Sequence, residues 1–246
     1  MKYLQQWGLA LLLLVFITTP CFSDVEEQWV KYYKQGLYPQ AITELNKNFE
    51  KEKDKEEKAK ILNNLSAIYR QTGDYEKATQ GLKQAIKIYE SIKLENNITY
   101  SVALTNLAEL YTAKGEFESA EPFALKSLEI TSQEAPGYGS ILNNVGFLYD
   151  KWGRYNKAEE YYLKTISWYQ TYRDPSYIVS SSDNTLLESQ YSLSLIYAKQ
   201  KKYSKSQELL EKSLTLAQET LGADHPNTKE LIQVLAKVKK LATTSN

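Results

Sequence analysis

The sequence predicts an all-α fold in which pairs of helices stack side by side, and three observations support this. A six-residue turn recurs five times along the 246-residue chain, with an aromatic third and a small sixth residue each time. The copies begin at Gly36, Gly73, Gly115, Gly153 and Lys201, which are 37, 42, 38 and 48 residues apart, and such periods are typical of solenoid repeats. Apolar residues recur at helical spacing on both sides of each turn. The repeated unit is therefore helix–turn–helix.

Each position of the turn has a physical role. A glycine directly after a helix adopts the left-handed backbone conformation that ends the helix. The aromatic residue two positions later covers the crossing of the two helices, at Tyr38, Tyr75, Phe117, Tyr155 and Tyr203. The small residue three positions further lies on the inner side of the second helix, at Ala41, Ala78, Ala120, Ala158 and Ser206.

We expect these small residues to face other small residues across the helix pair. The facing positions on the first helix are Ser66, Ala108, Gly146 and Ser194. A further small position follows seven residues along the second helix, at Ala85, Ser127, Thr165 and Ser213. Small side chains on both helices predict a close approach, toward the short end of the usual interaxial range of about 8–10 Å.

These motifs resemble the tetratricopeptide repeat over nearly the whole chain that follows residue 23. Three stretches are similar to the kinesin-light-chain type of that repeat, which runs to about 42 residues per unit. They are ILNNL at 61–65, AEPFALKSL at 120–128 and LGADHP at 221–226. The resemblance implies a right-handed α-α superhelix whose first helices line a concave face, which suits an extended peptide or a partner helix.

The repeat pattern predicts about five helix pairs and a final capping helix. The pairs occupy about 24–51, 55–94, 97–134, 137–172 and 184–220, the capping helix 226–242, and a disordered tail 243–246. The first pair has Trp29 where the others have a small residue before the turn, so we expect it to act as an N-terminal cap. The stretch 172–183 accounts for the longest spacing and is predicted to be an inserted loop, which is either tolerated or functional.

Residues 1–23 have the layout of a secretory signal peptide. Lys2 is followed by an apolar run at 9–17, a break at Pro20 and small residues before a cleavage position after Ser23. The apolar run is about half the roughly 20 residues that span a bilayer. Lipid attachment at Cys21 would tether the protein to a membrane, although Pro20 is not the small residue that lipoprotein signals place there. The sequence thus predicts export, with the periplasm as the first expectation.

The composition contains few residues that could form a catalytic or metal-binding site. With 30 basic and 30 acidic residues the chain has no net pull toward nucleic acid. His225 is the only histidine and Cys21 the only cysteine, so the usual zinc and copper sites have too few ligands. His225 stands in an Asp-His-Pro turn, where we expect a structural role. We predict no enzymatic activity, no cofactor and no metal, and a protein or peptide as the partner.

The candidate binding residues lie on the first helix of each pair, on the face opposite the core. They are spaced i, i+4, i+7 and comprise Asn63, Ala67, Arg70; Thr105, Glu109, Thr112; Asn143, Phe147, Asp150; and Tyr191, Leu195, Ala198. Asparagine side chains can hydrogen-bond a peptide backbone of any sequence, and aromatic and leucine side chains provide apolar contact. The set lacks the combination of Lys, Asn and Arg with which co-chaperone repeats bind a C-terminal carboxylate, so binding of a chaperone tail is not supported.

A second aromatic group lies around the fourth pair. It comprises Tyr161, Tyr162, Trp168, Tyr169, Tyr172 and Tyr177. Packing within and between repeats accounts for most of these residues, and an aromatic binding patch is the alternative. The function predicted first is an exported interaction scaffold. The alternatives are a secreted factor that engages host proteins and a binding subunit of a cell-wall or carbohydrate-active enzyme complex.

Overall fold

The computed structural model describes residues 27–95, 97–135, 137–172 and 182–244. This part of the chain contains eleven helices and no strand, which confirms the all-α prediction. They are α1 Gln28–Lys34, α2 Tyr38–Lys51, α3 Lys55–Gln71, α4 Tyr75–Ser91, α5 Ile98–Lys114, α6 Phe117–Ile130, α7 Tyr138–Lys151, α8 Tyr155–Tyr172, α9 Ser182–Lys199, α10 Tyr203–Thr220 and α11 Pro226–Thr244.

Some predictions concern residues that are not described, and others differ from the observed helix bounds. The leader at 1–23, including Cys21, lies outside the described residues, and so does the stretch 173–181 of the predicted insertion. Helix α9 already begins at Ser182. The predicted disordered tail is wrong for Thr243 and Thr244, because α11 continues through both, and their hydroxyls donate hydrogen bonds to backbone carbonyls one turn earlier.

The helices pair across the repeated turn, α1 with α2, α3 with α4, and so on through α10. They belong to two compact units: α1–α6 lie in the first, which ends at Ala135, and α7–α11 in the second. Within each unit the second helix of a pair also contacts the first helix of the next pair. Successive first helices contact each other too, α3 with α5 in the first unit and α7 with α9 in the second.

The turns close as the sequence predicts. Gly73 has φ +84°, and the two backbone bonds of a Schellman motif end α3: Asp74 N–H donates to the Tyr69 carbonyl at 2.8 Å, and Gly73 N–H to that of Arg70 at 3.1 Å. The same pair of bonds recurs at the later turns. Lys201 adopts φ +61° at the equivalent position without the freedom of glycine.

The small residues of the turn are buried in every helix pair, and in the four pairs from α3 to α10 the small residues of the first helix are buried too, as expected. Ala41, Ala78, Ala120, Ala158 and Ser206 are fully inaccessible to solvent. On the facing helices Ser66, Ala108 and Ser194 are also buried, as are the later positions Ala85, Ser127, Thr165 and Ser213. At Gly146 a Cβ atom would come within 2.8 Å of the Tyr162 ring. The backbones of α7 and α8 can approach this closely only because position 146 has no side chain.

The first and last of the described helices pack through large apolar side chains. In the first unit Trp29 and Tyr32 pack, half-buried, on a core cluster that includes Leu45 and Ile68. In the second unit α11 packs on α10 and buries Leu231, Leu235 and Val238. The cap role of these two elements stays a prediction. Of the helices described, none combines the length and apolar character needed to cross a bilayer.

Substitution of the turn residues with positive φ tests how much they contribute to the free energy of unfolding. A side chain at positive φ costs about 1 kcal/mol relative to glycine. We therefore expect Lys201→Gly to raise the free energy of unfolding by about that amount, and Gly153→Ala, where nothing lies near the added Cβ atom, to lower it similarly. Urea unfolding followed by circular dichroism measures both changes. Equal stability of the two variants would contradict this explanation of the turn.

Candidate functional site

In the first unit a largely buried ion pair connects two helices of the predicted binding face. Arg70 Nη1 on α3 lies 2.7 Å from Glu109 Oε2 on α5, and the two side chains are 12% and 10% exposed. Burial raises the pKa of Glu109, and the charge of Arg70 opposes that rise. A charge pair with so little solvent is costly to break, since each partner would leave the other uncompensated. Arg70 and Glu109 therefore join two successive first helices.

Asn63, on the same helix as Arg70, is hydrogen-bonded within the unit as well. Asn63 is 4% exposed, and its Oδ1 accepts a hydrogen bond of 2.9 Å from Asn106 Nδ2. Beside this bond a cavity of about 10 Å³ lies between α3, α4 and α5, lined in part by Ser66, Arg70 and Asn106. That volume is about one water molecule. The cavity itself is too small for a peptide side chain.

Both threonines predicted on α5 are bonded within the unit. The Thr105 hydroxyl lies 2.6 Å from Ser127 Oγ and 3.0 Å from the Ser101 carbonyl oxygen. Thr112 is 6% exposed and donates to the Ala108 carbonyl at 2.8 Å. Their hydroxyls therefore stabilise α5 and its contact with α6.

In the second unit two predicted residues are buried as well. Asn143 on α7 is 8% exposed; its Oδ1 accepts from Ser189 Oγ at 2.7 Å, and its Nδ2 donates to Glu188 Oε2 at 3.5 Å. Tyr191 on α9 is 9% exposed and donates to Glu230 Oε1 on α11 at 3.0 Å. Burial, reinforced by the Glu230 charge, raises the pKa of Tyr191.

The expectation that the whole face lies opposite the core is therefore wrong for Asn63, Thr112, Asn143 and Tyr191. The physical reason is the packing of successive first helices, which covers the inner edge of the face. Their part in partner binding stays a prediction, and so does that of the other candidates.

Four predicted residues of the second unit remain half-buried at the surface: Phe147, Asp150, Leu195 and Ala198. Lys151 Nζ lies 5.0 Å from the centre of the Phe147 ring. Burial raises the pKa of Asp150, which the charges of Lys199 and Lys151 oppose. This part of the face thus combines an aromatic ring, an aliphatic side chain and a carboxylate.

Sequence reasoning placed Tyr162 in an aromatic group but missed its position beside this face. Tyr162 is 1% exposed on α8, and its ring packs on Gly146 of α7. A signal was present in the sequence, because the equivalent positions of the other repeats hold aliphatic residues, at Leu45, Leu82, Ala124 and Leu210.

The rest of the predicted aromatic group divides between core and surface. Tyr169 is 3% exposed, whereas Tyr172 is 45% exposed and stacks on Trp168 with ring centres 5.4 Å apart. Tyr138 lies on the other side of Trp168, at 6.4 Å. Tyr177 lies outside the described residues. Core packing accounts for Tyr162 and Tyr169.

Two observations bear on chemistry. Among the described residues, no group of three or more His, Cys, Asp or Glu side chains is placed to hold a metal ion. His225 Nδ1 accepts a hydrogen bond of 3.2 Å from the Asn227 backbone N–H at the start of α11. This bond fits the structural role expected for His225, since the first N–H groups of a helix lack partners within it.

Solved structures with similar folds are found, although no relative was found among curated protein sequences. BtubC (BKLC) from P. vanneervenii is 18% identical, with a TM-score of 0.71 over 80% of each chain. A putative kinesin light chain of Podosopora anserina, with nearly identical TPR-like repeats, is 18% identical, with a TM-score of 0.61 over 78% of this chain and 92% of that one.

A Rap protein complexed with Competence and Sporulation Factor is 19% identical, with a TM-score of 0.63 over 86% of this chain and 63% of that one. At these identities the similarity concerns the fold alone. The model of the tetratricopeptide repeat family matches residues 32–91, 99–171 and 185–242, which together exceed half of the chain. These repeats typically form interaction scaffolds and are generally not enzymes. The chain belongs to the tetratricopeptide repeat family.

Proposed function

We propose that the chain is an exported interaction scaffold that binds a peptide or a helix of a partner protein on the first-helix face of its second unit. The observation that carries this proposal is the mixed surface left on that face. Phe147 and Leu195 remain half-buried there beside the Asp150 carboxylate. Partly exposed aromatic and aliphatic side chains next to a polar group are typical of protein contact sites.

The contrast between the units supports the choice of the second one. In the first unit the two charged residues of the face, Arg70 and Glu109, form an ion pair with each other. The fold similarity to the Rap protein, which was solved with Competence and Sporulation Factor, is consistent with a binding role for such repeats. The proposal extends that role to an unidentified partner of this chain.

Site-specific photocrosslinking in the producing cells tests this function. Phe147 and Leu195 are replaced, one at a time, by a photoreactive phenylalanine. We expect each to give a covalent adduct of discrete mass, because a bound segment would lie within contact distance of both positions. The matched control is Leu163 on α8, which is 46% exposed but lies on a second helix. Adducts that form at Leu163 as efficiently as at positions 147 and 195 would contradict a first-helix site.

Export is proposed from the residue pattern of 1–23. A positive charge, an apolar run shorter than a membrane span and small residues before position 24 are the features that signal peptidase recognises. We expect the protein purified from its native cells to begin at Asp24, and intact mass spectrometry measures this directly. A mass that includes the leader, or an acylated Cys21, would contradict cleavage after Ser23.

A further inference from the structure

Positive charge is concentrated at one end of the second unit, although the whole chain has equal numbers of basic and acidic residues. The turn between α9 and α10, at 199–205, contains four lysines and no acidic residue. Helix α11 follows α10 through a short turn and packs on it, and the two helices have 19 and 18 residues. The end of α11 therefore lies near the start of α10. We call six lysines of this end of the unit the basic edge: Lys199, Lys201, Lys202, Lys205, Lys237 and Lys240.

The lysines of the basic edge are not neutralised within the fold. All six are exposed to solvent, and none forms an ion pair with a carboxylate of the described residues. By contrast Lys239, which stands between two of them in the sequence, pairs with Glu211 at 2.9 Å. The basic edge thus presents its positive charge to whatever approaches this end of the unit.

Two lysines of the basic edge share one aromatic ring. The Nζ atoms of Lys202 and Lys205 lie 5.6 and 5.3 Å from the centre of the Tyr197 ring. Glu159 accepts a hydrogen bond of 2.8 Å from the Tyr197 hydroxyl and forms no ion pair with either lysine. Like charges around one ring repel each other, and an added anion would relieve this repulsion.

Folding favours other residues at two of these positions. Lys201 has φ +61°, where glycine is less strained. Lys202 is the N-cap of α10 and provides no side-chain cap bond, although a helix N-terminus favours acceptors and negative charge. The equivalent Asp74 accepts a bond of 3.2 Å from the Lys77 N–H and lies 2.8 Å from its Nζ. The stability of the fold therefore does not explain the lysines at 201 and 202.

We propose that the basic edge binds the surface of a bilayer that contains anionic lipids. Clusters of about four to eight lysines or arginines are typical of such binding, because the negative headgroup layer attracts each of them. Leu241 follows Lys240 and is 38% exposed, and interfacial segments combine apolar side chains of this kind with lysines. The inference goes beyond the proposed function and does not depend on it.

An acidic segment of a partner protein fits the basic edge less well. Arginine is the residue whose planar group binds carboxylates with two parallel hydrogen bonds, whereas lysine is a hydrated point charge on a flexible stem. Residues 199–205 and 237–244 contain no arginine. A layer of headgroups imposes no fixed geometry on each charge, so a surface of lysines alone favours the bilayer.

Vesicle sedimentation tests the inference. Protein purified from its native cells is mixed with vesicles of phosphatidylglycerol and phosphatidylcholine in equal parts, or of phosphatidylcholine alone, and the sedimented fraction is measured. We expect sedimentation only with the vesicles that contain phosphatidylglycerol, and its loss at about 1 M salt, where the screening length falls to about 3 Å. Equal sedimentation with both kinds of vesicle would overturn the inference.

A pair of charge variants locates the binding surface. Lys202→Gln/Lys205→Gln should lower the affinity for the phosphatidylglycerol vesicles by about tenfold or more. The matched control, Lys164→Gln/Lys212→Gln, removes the same charge from lysines that pair with Glu160 and Glu208 at 2.6 and 2.7 Å. We expect it to change the affinity by less than about twofold. The same loss in both variants would mean that net charge alone decides binding, which contradicts a role of the basic edge.

The Tm separates a binding role of Lys202 from a structural one. Lys202→Asp introduces a cap acceptor at the N-terminus of α10, so we expect a higher Tm together with weaker vesicle binding. A lower Tm would show that Lys202 stabilises the fold, and the reason for assigning it to a ligand would be lost. Retention on immobilised polyglutamate without binding to the phosphatidylglycerol vesicles would assign the basic edge to an acidic protein segment, against the inference.

Discussion

The seam of small side chains inside each helix pair is the constraint on which the rest of the structure depends. Alanine or serine at the sixth turn position, with a small residue on the facing helix, lets the two backbones approach closely. The left-handed residue before it sets the angle at which the second helix begins. Both features recur in the four pairs from α3 to α10, and candidate binding residues recur at the same positions of their first helices.

In the second unit the small-residue seam between α7 and α8 differs from that of the other pairs. Gly146 replaces the usual alanine or serine, and the volume it leaves is filled by the ring of Tyr162 instead of an aliphatic side chain. The exchange places a hydroxyl in a buried position, and this burial raises the pKa of Tyr162. In the first unit the corresponding face is occupied by the Arg70–Glu109 pair. One repeat architecture thus gives an internally bonded face in the first unit and, in the second, a face on which Phe147, Asp150 and Leu195 remain half-buried.

The turns, the seam and the helix pairs were predictable because their signals are local: period, side-chain size and glycine at fixed offsets. The burial of Asn63 and Tyr191 was not predictable in this way. Helical register shows which residues point away from the partner helix, but not how closely the next first helix approaches. The bond between Asn63 and Asn106 illustrates this, because the repeat-equivalent of Asn63 is Thr105, one residue away. Contacts between repeats depend on that offset, which the repeat period does not specify.

The measurement that tests the seam most directly is the free energy of urea unfolding of Ala78→Leu. Ala78 is fully buried, and the neighbouring cavity of about 10 Å³ is too small for the added carbon atoms. The seam predicts a loss of about 1–3 kcal/mol, whereas Gln80→Leu at an exposed position of the same helix should change stability by less than about 0.5 kcal/mol. If Ala78→Leu were as stable as the parent protein, close approach through small side chains would not be what holds the helix pairs together.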